Sequence, residues 1–308
     1  MIASVSVVLV AIGVSVWSLR TSIRQLITSS FASATGMDSG TSLDPAFFAD
    51  GSCVAYGPTT ASNHKTVFLD AGHGGIDPGG VGTTASGQSI AEAPINLSIE
   101  LQTMELLRAK GYRVVVSRTS NSTVVRLDAS DTSDGLLSLE GVHRDVGARD
   151  VCANLAGADA LVGISMDASS SPQDGGSISL YDANRPFSAA NRTLADLLQR
   201  DVVAAMNAQG WQIPDDGVGR DGGYGSSNGS PADGGLAAAG ASYHHLMLIG
   251  PALTGYFSTP STMPGAVIEP LYLTDPSEGS IAASSTGQRV IAQGLANAIE
   301  DFLSTSSR

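Results

Sequence analysis

The residue types that can hold a metal and move protons gather at the ends of predicted strands. The apolar run at 66–70 (TVFLD) leads straight into Asp70-Ala-Gly-His73-Gly-Gly-Ile-Asp77-Pro-Gly. The strand at 160–165 is followed by Met166-Asp167-Ala168, and Glu269 lies inside the apolar run Ala266-Val-Ile-Glu-Pro-Leu-Tyr. Glu92 stands just ahead of the first long helical pattern. Imidazole nitrogen and carboxylate oxygen together make a donor set that zinc accepts. In open α/β sheets, functional groups collect beyond the C-terminal strand ends. His73 taken alone could equally be a turn residue of no consequence. Glu269 is harder to dismiss, because a carboxylate in a buried strand costs several kcal/mol unless it is paired or faces a cavity. The glycine-rich turn lacks both Gly-Lys-Ser/Thr and a helix-opening Gly-x-Gly-x-x-Gly, so it does not read as a phosphate cradle.

The elements that must position these residues are legible from periodicity. Strands are predicted at 66–70, 112–117, 160–165, 176–181, 245–249 and 266–272, and helices at 93–109, 140–155, 189–209 and 281–303. Residues 119–138 read as a loop, and the Gly/Asp/Ser-rich stretch 214–236 as a surface loop. Strands alternating with helices predict a single α/β domain with a twisted, mostly parallel sheet flanked by helices, over residues 65–304.

The chain has 308 residues and a net charge of −13, which excludes generic nucleic-acid binding through a basic surface. Residues 2–19 carry no charge and approach the length of a bilayer-spanning helix. With Trp17, Arg20 and Arg24 behind them, residues 1–24 read as a signal-anchor or signal-like membrane segment. Export signals carry their positive charge ahead of the apolar run, so a basic region is expected upstream. Residues 25–64 read as a flexible tether, with membrane attachment through the segment before it. Cys53 and Cys152 could pair in an exported protein, or Cys152 could be a buried free thiol.

Five motifs run in order along residues 66–303: Asp70 to Gly80, Glu92-Ala-Pro-Ile-Asn96-Leu, Val114-Val-Val-Ser-Arg118-Thr, the stretch from Arg149 to Ser165, and Pro264-Gly-Ala-Val-Ile-Glu269. Together they resemble the zinc-dependent N-acetylmuramoyl-L-alanine amidases of the Amidase_3 type. It implies Zn²⁺ as cofactor, His73 and Glu92 as ligands and Glu269 as general base. It also implies the amide between muramic acid and L-alanine as substrate, and an extracytoplasmic, wall-associated monomer with peptidoglycan as partner.

One position departs from the family. Where its members carry Ser-Ile-His-Ala-Asn, this chain has Ser165-Met-Asp167-Ala-Ser. Asp167 could bind the metal itself. His245 (or its neighbour His244) could complete the site, with Asp167 orienting a ligand. A third reading is a catalytically impaired binding or regulatory protein. His143 is a more distant candidate, and His64 precedes the domain. Arg185 could cap the following helix or meet a stem-peptide carboxylate.

Overall fold

The computed structural model describes residues 40–222 and 243–305. Along the chain come β1 (Thr41–Ser42), β2 (Ser52–Tyr56), β3 (Thr66–Ala71), β4 (Val81–Thr83), β5 (Ser89–Ala91), α1 (Glu92–Ala109) and β6 (Arg113–Arg118). Then follow β7 (Thr132–Ser133), β8 (Leu136–Leu137), α2 (Leu139–Ala156), β9 (Ala160–Ile164), β10 (Ser177–Tyr181), α3 (Ser188–Asn207) and β11 (Asp215–Arg220). The last three are β12 (Gly265–Glu269), α4 (Pro276–Ala283) and α5 (Ser285–Thr305).

Eight strands form one sheet in the order β1-β2-β6-β3-β9-β12-β10-β11. The centre, β6-β3-β9-β12, is parallel, and β10 and β11 are parallel to each other. β2 runs antiparallel to β6, and β10 runs antiparallel to β12. The central strands are near-continuous Val/Ile/Leu runs because both of their faces are covered. On one face Val67, Leu69, Val162 and Ile268 pack with the apolar stripes of α1, α3 and α5. On the other, Phe68, Leu161 and Val267 pack with Ala148 and Ala153 of α2 and with Leu246, Leu248 and Ile249. The period-2 alternation decides the site: Asp70 and Glu269 share a face with Phe68 and Val267, the side covered by α2.

Several boundaries differ from expectation. Residues 41–56, expected as tether, supply two strands, and β2 is disulfide-bonded through Cys53 to Cys152 of α2. Residues 215–220 form the edge strand β11 rather than a loop, because parallel pairing with β10 accepts the polar sequence DDGVGR where only one side needs partners. Residues 245–249 form a turn and no strand, held by Ile249 N and Gly250 N on Leu246 O. The predicted C-terminal helix is two helices broken at Ser284, whose backbone is extended. Residues 1–39 and 223–242 lie outside the described residues, and with them the predicted membrane segment. Among the described residues no helix is long and apolar enough to cross a membrane.

Candidate metal centre

The segment after β3 carries His73 in the left-handed region, φ 63°, a conformation that costs a non-glycine residue free energy and needs outside support. Two buried arginines supply it. Arg149 donates through Nη2 to His73 O at 2.9 Å and through Nη1 to Ala71 O at 2.8 Å and Asp70 Oδ1 at 2.7 Å. Arg118 donates to Ala71 O, Gly72 O and Ala93 O, tying the turn to the start of α1. Asp70 and Asp145 flank Arg149 and hold its guanidinium firmly charged against the cost of burial.

The His73 ring is held from both ends. Nδ1 lies 2.9 Å from Asp77 Oδ2, and Nε2 lies 3.1 Å from Glu92 Oε2. Burial works against a charged ring, but Glu92 and Asp77 outweigh it and raise its pKa well above the usual value. Glu92 opens α1, whose first N–H groups are satisfied by the loop below: Glu92 N donates to Gly80 O, and Ala93 N to Pro78 O. Its Oε1 accepts from Met166 N at 2.8 Å and Asn96 Nδ2 at 2.9 Å, and its Oε2 accepts from Gly80 N at 2.8 Å. Burial alone would raise this carboxyl, yet His73 and these donors bring it below the ordinary range. Gly79, φ +69°, makes the close approach possible, because a Cβ there would lie 2.6 Å from the His73 ring and 2.7 Å from Glu92 Oε2.

Asp167 follows β9 in a short parallel ladder, with Asp167 N on Leu271 O and Leu273 N on Asp167 O. Its carboxyl accepts from Ala168 N at 2.6 Å and meets the side chains of Tyr272 and Glu269. Burial raises its pKa, opposed by those hydrogen bonds and reinforced by the charge of Glu92. Two carboxyls in hydrogen-bond contact need a proton between them. Glu269, 8% exposed at the end of β12, lines a cleft with His73, Asp77, Arg149 and Ser165. His73, Glu92, Asp167 and Glu269, from four separate segments, are thus brought together.

A family model described as N-acetylmuramoyl-L-alanine amidase matches residues 67–301. The chain belongs to the N-acetylmuramoyl-L-alanine amidase family. No curated protein is similar enough in sequence to match it. Among solved structures, it is similar to the CwlD amidase of Clostridioides difficile, determined in complex with the GerS lipoprotein, at 20% identity and TM-score 0.57 over 79% of this chain and 100% of that one. An N-acetylmuramoyl-L-alanine amidase from Clostridium difficile 630 matches at 24% identity and TM-score 0.53, over 79% and 99% of the two chains. The catalytic domain of CwlV from Paenibacillus polymyxa matches at 22% identity and TM-score 0.51, over 78% and 98%. At these identities the likeness establishes the amidase fold.

Within that fold, His245 does not join the His73 group. Its Nδ1 stands 2.7 Å from Asp182 Oδ2 and 3.5 Å from Asp221 Oδ1, so the two aspartates, not Glu92, claim the ring. Burial and the charge of Asp182 push the Asp221 carboxyl up to about 8. His244 lines the pocket beside His245. His143 packs edge-on against Tyr256 and Phe257. Arg185 is 8% exposed and donates to Ile249 O, Gly250 O and Ser261 O, so it is spent on the 249–261 segment and not open to a substrate carboxylate. Asp182 was missed by sequence reasoning, although it follows a predicted strand as Asp167 does. Asp221 was hidden because β11 does not look like a strand.

Proposed function

We propose that this chain is a peptidoglycan amidase that hydrolyses the amide between N-acetylmuramic acid and the L-alanine of the stem peptide, with zinc held by His73, Glu92 and Asp167. The supporting observation is the ring of His73, fixed by Asp77 at 2.9 Å on Nδ1 with Nε2 turned to Glu92 Oε2 at 3.1 Å. A carboxylate on the far nitrogen is how metal-binding histidines are oriented. The donor set fits zinc, which takes imidazole and carboxylate ligands alike. Asp167 meets Glu269 and feels the charge of Glu92, the carboxylate that holds His73 Nε2, and a divalent cation would offset repulsion that otherwise requires a shared proton.

When bound, zinc supplies a Lewis acid for the scissile carbonyl and makes a water acidic enough to attack near neutral pH. Glu269 is the proton carrier. Its carboxylate takes the proton of the attacking water and delivers it to the leaving alanine nitrogen. The C–N bond breaks, leaving a carboxylate on the lactyl group and a free amine on L-alanine. Arg149 and Arg118 keep the His73 turn in register through this cycle. The Cys53–Cys152 disulfide supports an extracytoplasmic site of action. Residues 1–24 supply the proposed membrane link, and the protein acts as a wall-associated monomer.

The test is zinc content and release of alanine-terminated peptides from purified peptidoglycan, on the full chain. Glu269→Gln should keep zinc and lose turnover, whereas His73→Ala and Asp167→Ala should each bind one zinc fewer. Unchanged turnover in Glu269→Gln removes its assigned role. A zinc-loaded wild type that leaves the wall intact favours a non-catalytic binder.

A further inference from the structure

Outside the cleft, one cluster of side chains has unspent donor atoms. Asp182 follows β10, and Asp221 follows the neighbouring parallel strand β11, with Asp221 N on Tyr181 O. His245 arrives from the turn after residue 243. Asp182 and Asp221 are 0% and 1% exposed. Each carboxylate has one oxygen fixed by the backbone: Asp182 Oδ1 accepts from Asn184 N at 2.6 Å, and Asp221 Oδ2 from Leu246 N at 3.2 Å. The remaining oxygens face His245 Nδ1. Asp182 Oδ2 and His245 Nδ1 are both buried, lie 2.7 Å apart, and yet neither makes a hydrogen bond. A buried carboxylate oxygen and a ring nitrogen this close, neither in an aligned hydrogen bond, suit a cation held by both. One ligand atom from each of the three residues falls within 4.8 Å of the others, a spread a single ion can bridge.

We infer that Asp182, Asp221 and His245 form a second divalent-cation site of the zinc class, separate from the His73 group. One imidazole and two carboxylates suit a borderline ion such as Zn²⁺ better than Ca²⁺ or Mg²⁺, which take oxygen ligands. A metal on Nδ1 leaves the proton on Nε2, where the Asn184 amide stands 3.4 Å away and, turned over, accepts it through its oxygen. The open side faces a pocket lined by Ala183, Arg220, Gly222 and His244, which leaves room for a water as a fourth ligand. Arg185 lies near both carboxylates, but its guanidinium is committed to the 249–261 carbonyls. The ion ties together the ends of β10 and β11 and the turn before Leu246, three segments far apart in the chain. It is therefore a structural site.

The test is zinc per chain by mass spectrometry, after loading the full chain with Zn²⁺ alone and desalting. His245→Ala and Asp221→Asn should each bind one zinc fewer than wild type, and zinc should raise the wild-type Tm by about 5 °C more than that of either variant. Zinc retained by His73→Ala should show only nitrogen and oxygen neighbours in X-ray absorption, with a single imidazole. Wild-type zinc content in His245→Ala and Asp221→Asn overturns the site, as does a His73→Ala protein that binds no zinc. That last measurement keeps the test decisive if the other two variants fail to fold. Loss in His245→Ala with none in His73→Ala leaves this site standing and refutes the proposed catalytic one.

Discussion

Glu100 lies on α1 beneath the turn that carries His73, and its charge state sets a pH limit on the fold. Its side chain is fully buried. Oε1 accepts from Ala71 N at 3.1 Å and from Ser117 N and Ser117 Oγ at 3.0 Å each, while Oε2 has no partner. Burial pushes the carboxyl from 4.5 up to about 8, despite the nearby Arg118 guanidinium. An acid with a raised folded pKa contributes its full stability below the unfolded value and loses it as pH rises toward the folded one. Each pH unit across that window costs about 1.4 kcal/mol, so at pH 7 wild type has given up about 3 kcal/mol. Glu100→Gln keeps the oxygen that accepts from Ala71 and Ser117 and cannot ionise. Urea unfolding should find variant and wild type within about 1 kcal/mol at pH 5. The variant should be more stable by about 3 kcal/mol at pH 7, with the gap levelling off above pH 8. A stability difference that does not change between pH 5 and 8, or a variant less stable than wild type at pH 8, refutes the reasoning.

Three further outcomes follow from the packing around the site. Replacing Cys53 and Cys152 by alanine opens a loop spanning 99 positions and should cost about 4 to 5 kcal/mol, lowering Tm by about 8 °C or more in a thermal melt. Gly79→Ala puts a methyl 2.6 Å from the His73 ring at a backbone angle that alanine resists, and zinc titration should show affinity weakened by about 10- to 100-fold. Asp167→His exchanges an anionic oxygen for a neutral nitrogen and leaves the metal more positive. It should increase turnover at pH 7 by about tenfold, read from peptide release.

Much of this arrangement could be read from the chain because the informative residues sit where periodicity is strong. The strands at 66–71, 113–118, 160–164 and 265–269 are buried on both faces and each carries a short apolar run such as VFL, VVV, ALV or AVI. The sequence puts His73 and Asp167 just beyond predicted strands and Glu269 within one, and the structure has them just past Ala71, just past Ile164 and at the last residue of β12. What stayed hidden has particular causes. β2 carries an ordinary mixed sequence, SCVAY, and becomes a strand only because β6 offers its edge and Cys53 finds Cys152. β11 has no apolar pattern because it closes the sheet at a solvent-facing edge. The turn 245–249 looks like a strand because Leu246, Leu248 and Ile249 are buried against the α2 face, and burial alone produces apolar runs. His245 was drawn toward the wrong partners for that reason: a strand would have carried it along the sheet, whereas the turn delivers it to Asp182 and Asp221.

The aspartate at 167 changes the chemistry of the cleft more than its geometry. Met166 N, immediately before it, holds Glu92, and Leu271 and Leu273 clamp its own backbone, so the position is built whichever side chain it carries. The family's imidazole there would be neutral. The carboxylate instead adds a negative charge beside Glu92 and Glu269, and the pair it makes with Glu269 needs a proton. A proton shared by that pair is unavailable to Glu269 as a base, because the carboxylate must be free to accept one. In the proposed site, Asp167 engaged as a ligand would no longer share a proton with Glu269, which would then be free to act as the base. Activity in this member should therefore depend on metal occupancy more steeply than in a relative with histidine at the same place. In a zinc titration at fixed pH, Asp167→His should lower the zinc concentration needed for half-maximal turnover, and Glu269→Gln should leave zinc uptake intact while abolishing turnover at every concentration. Equal half-maximal zinc concentrations for wild type and Asp167→His would show that residue 167 does not govern the metal at all.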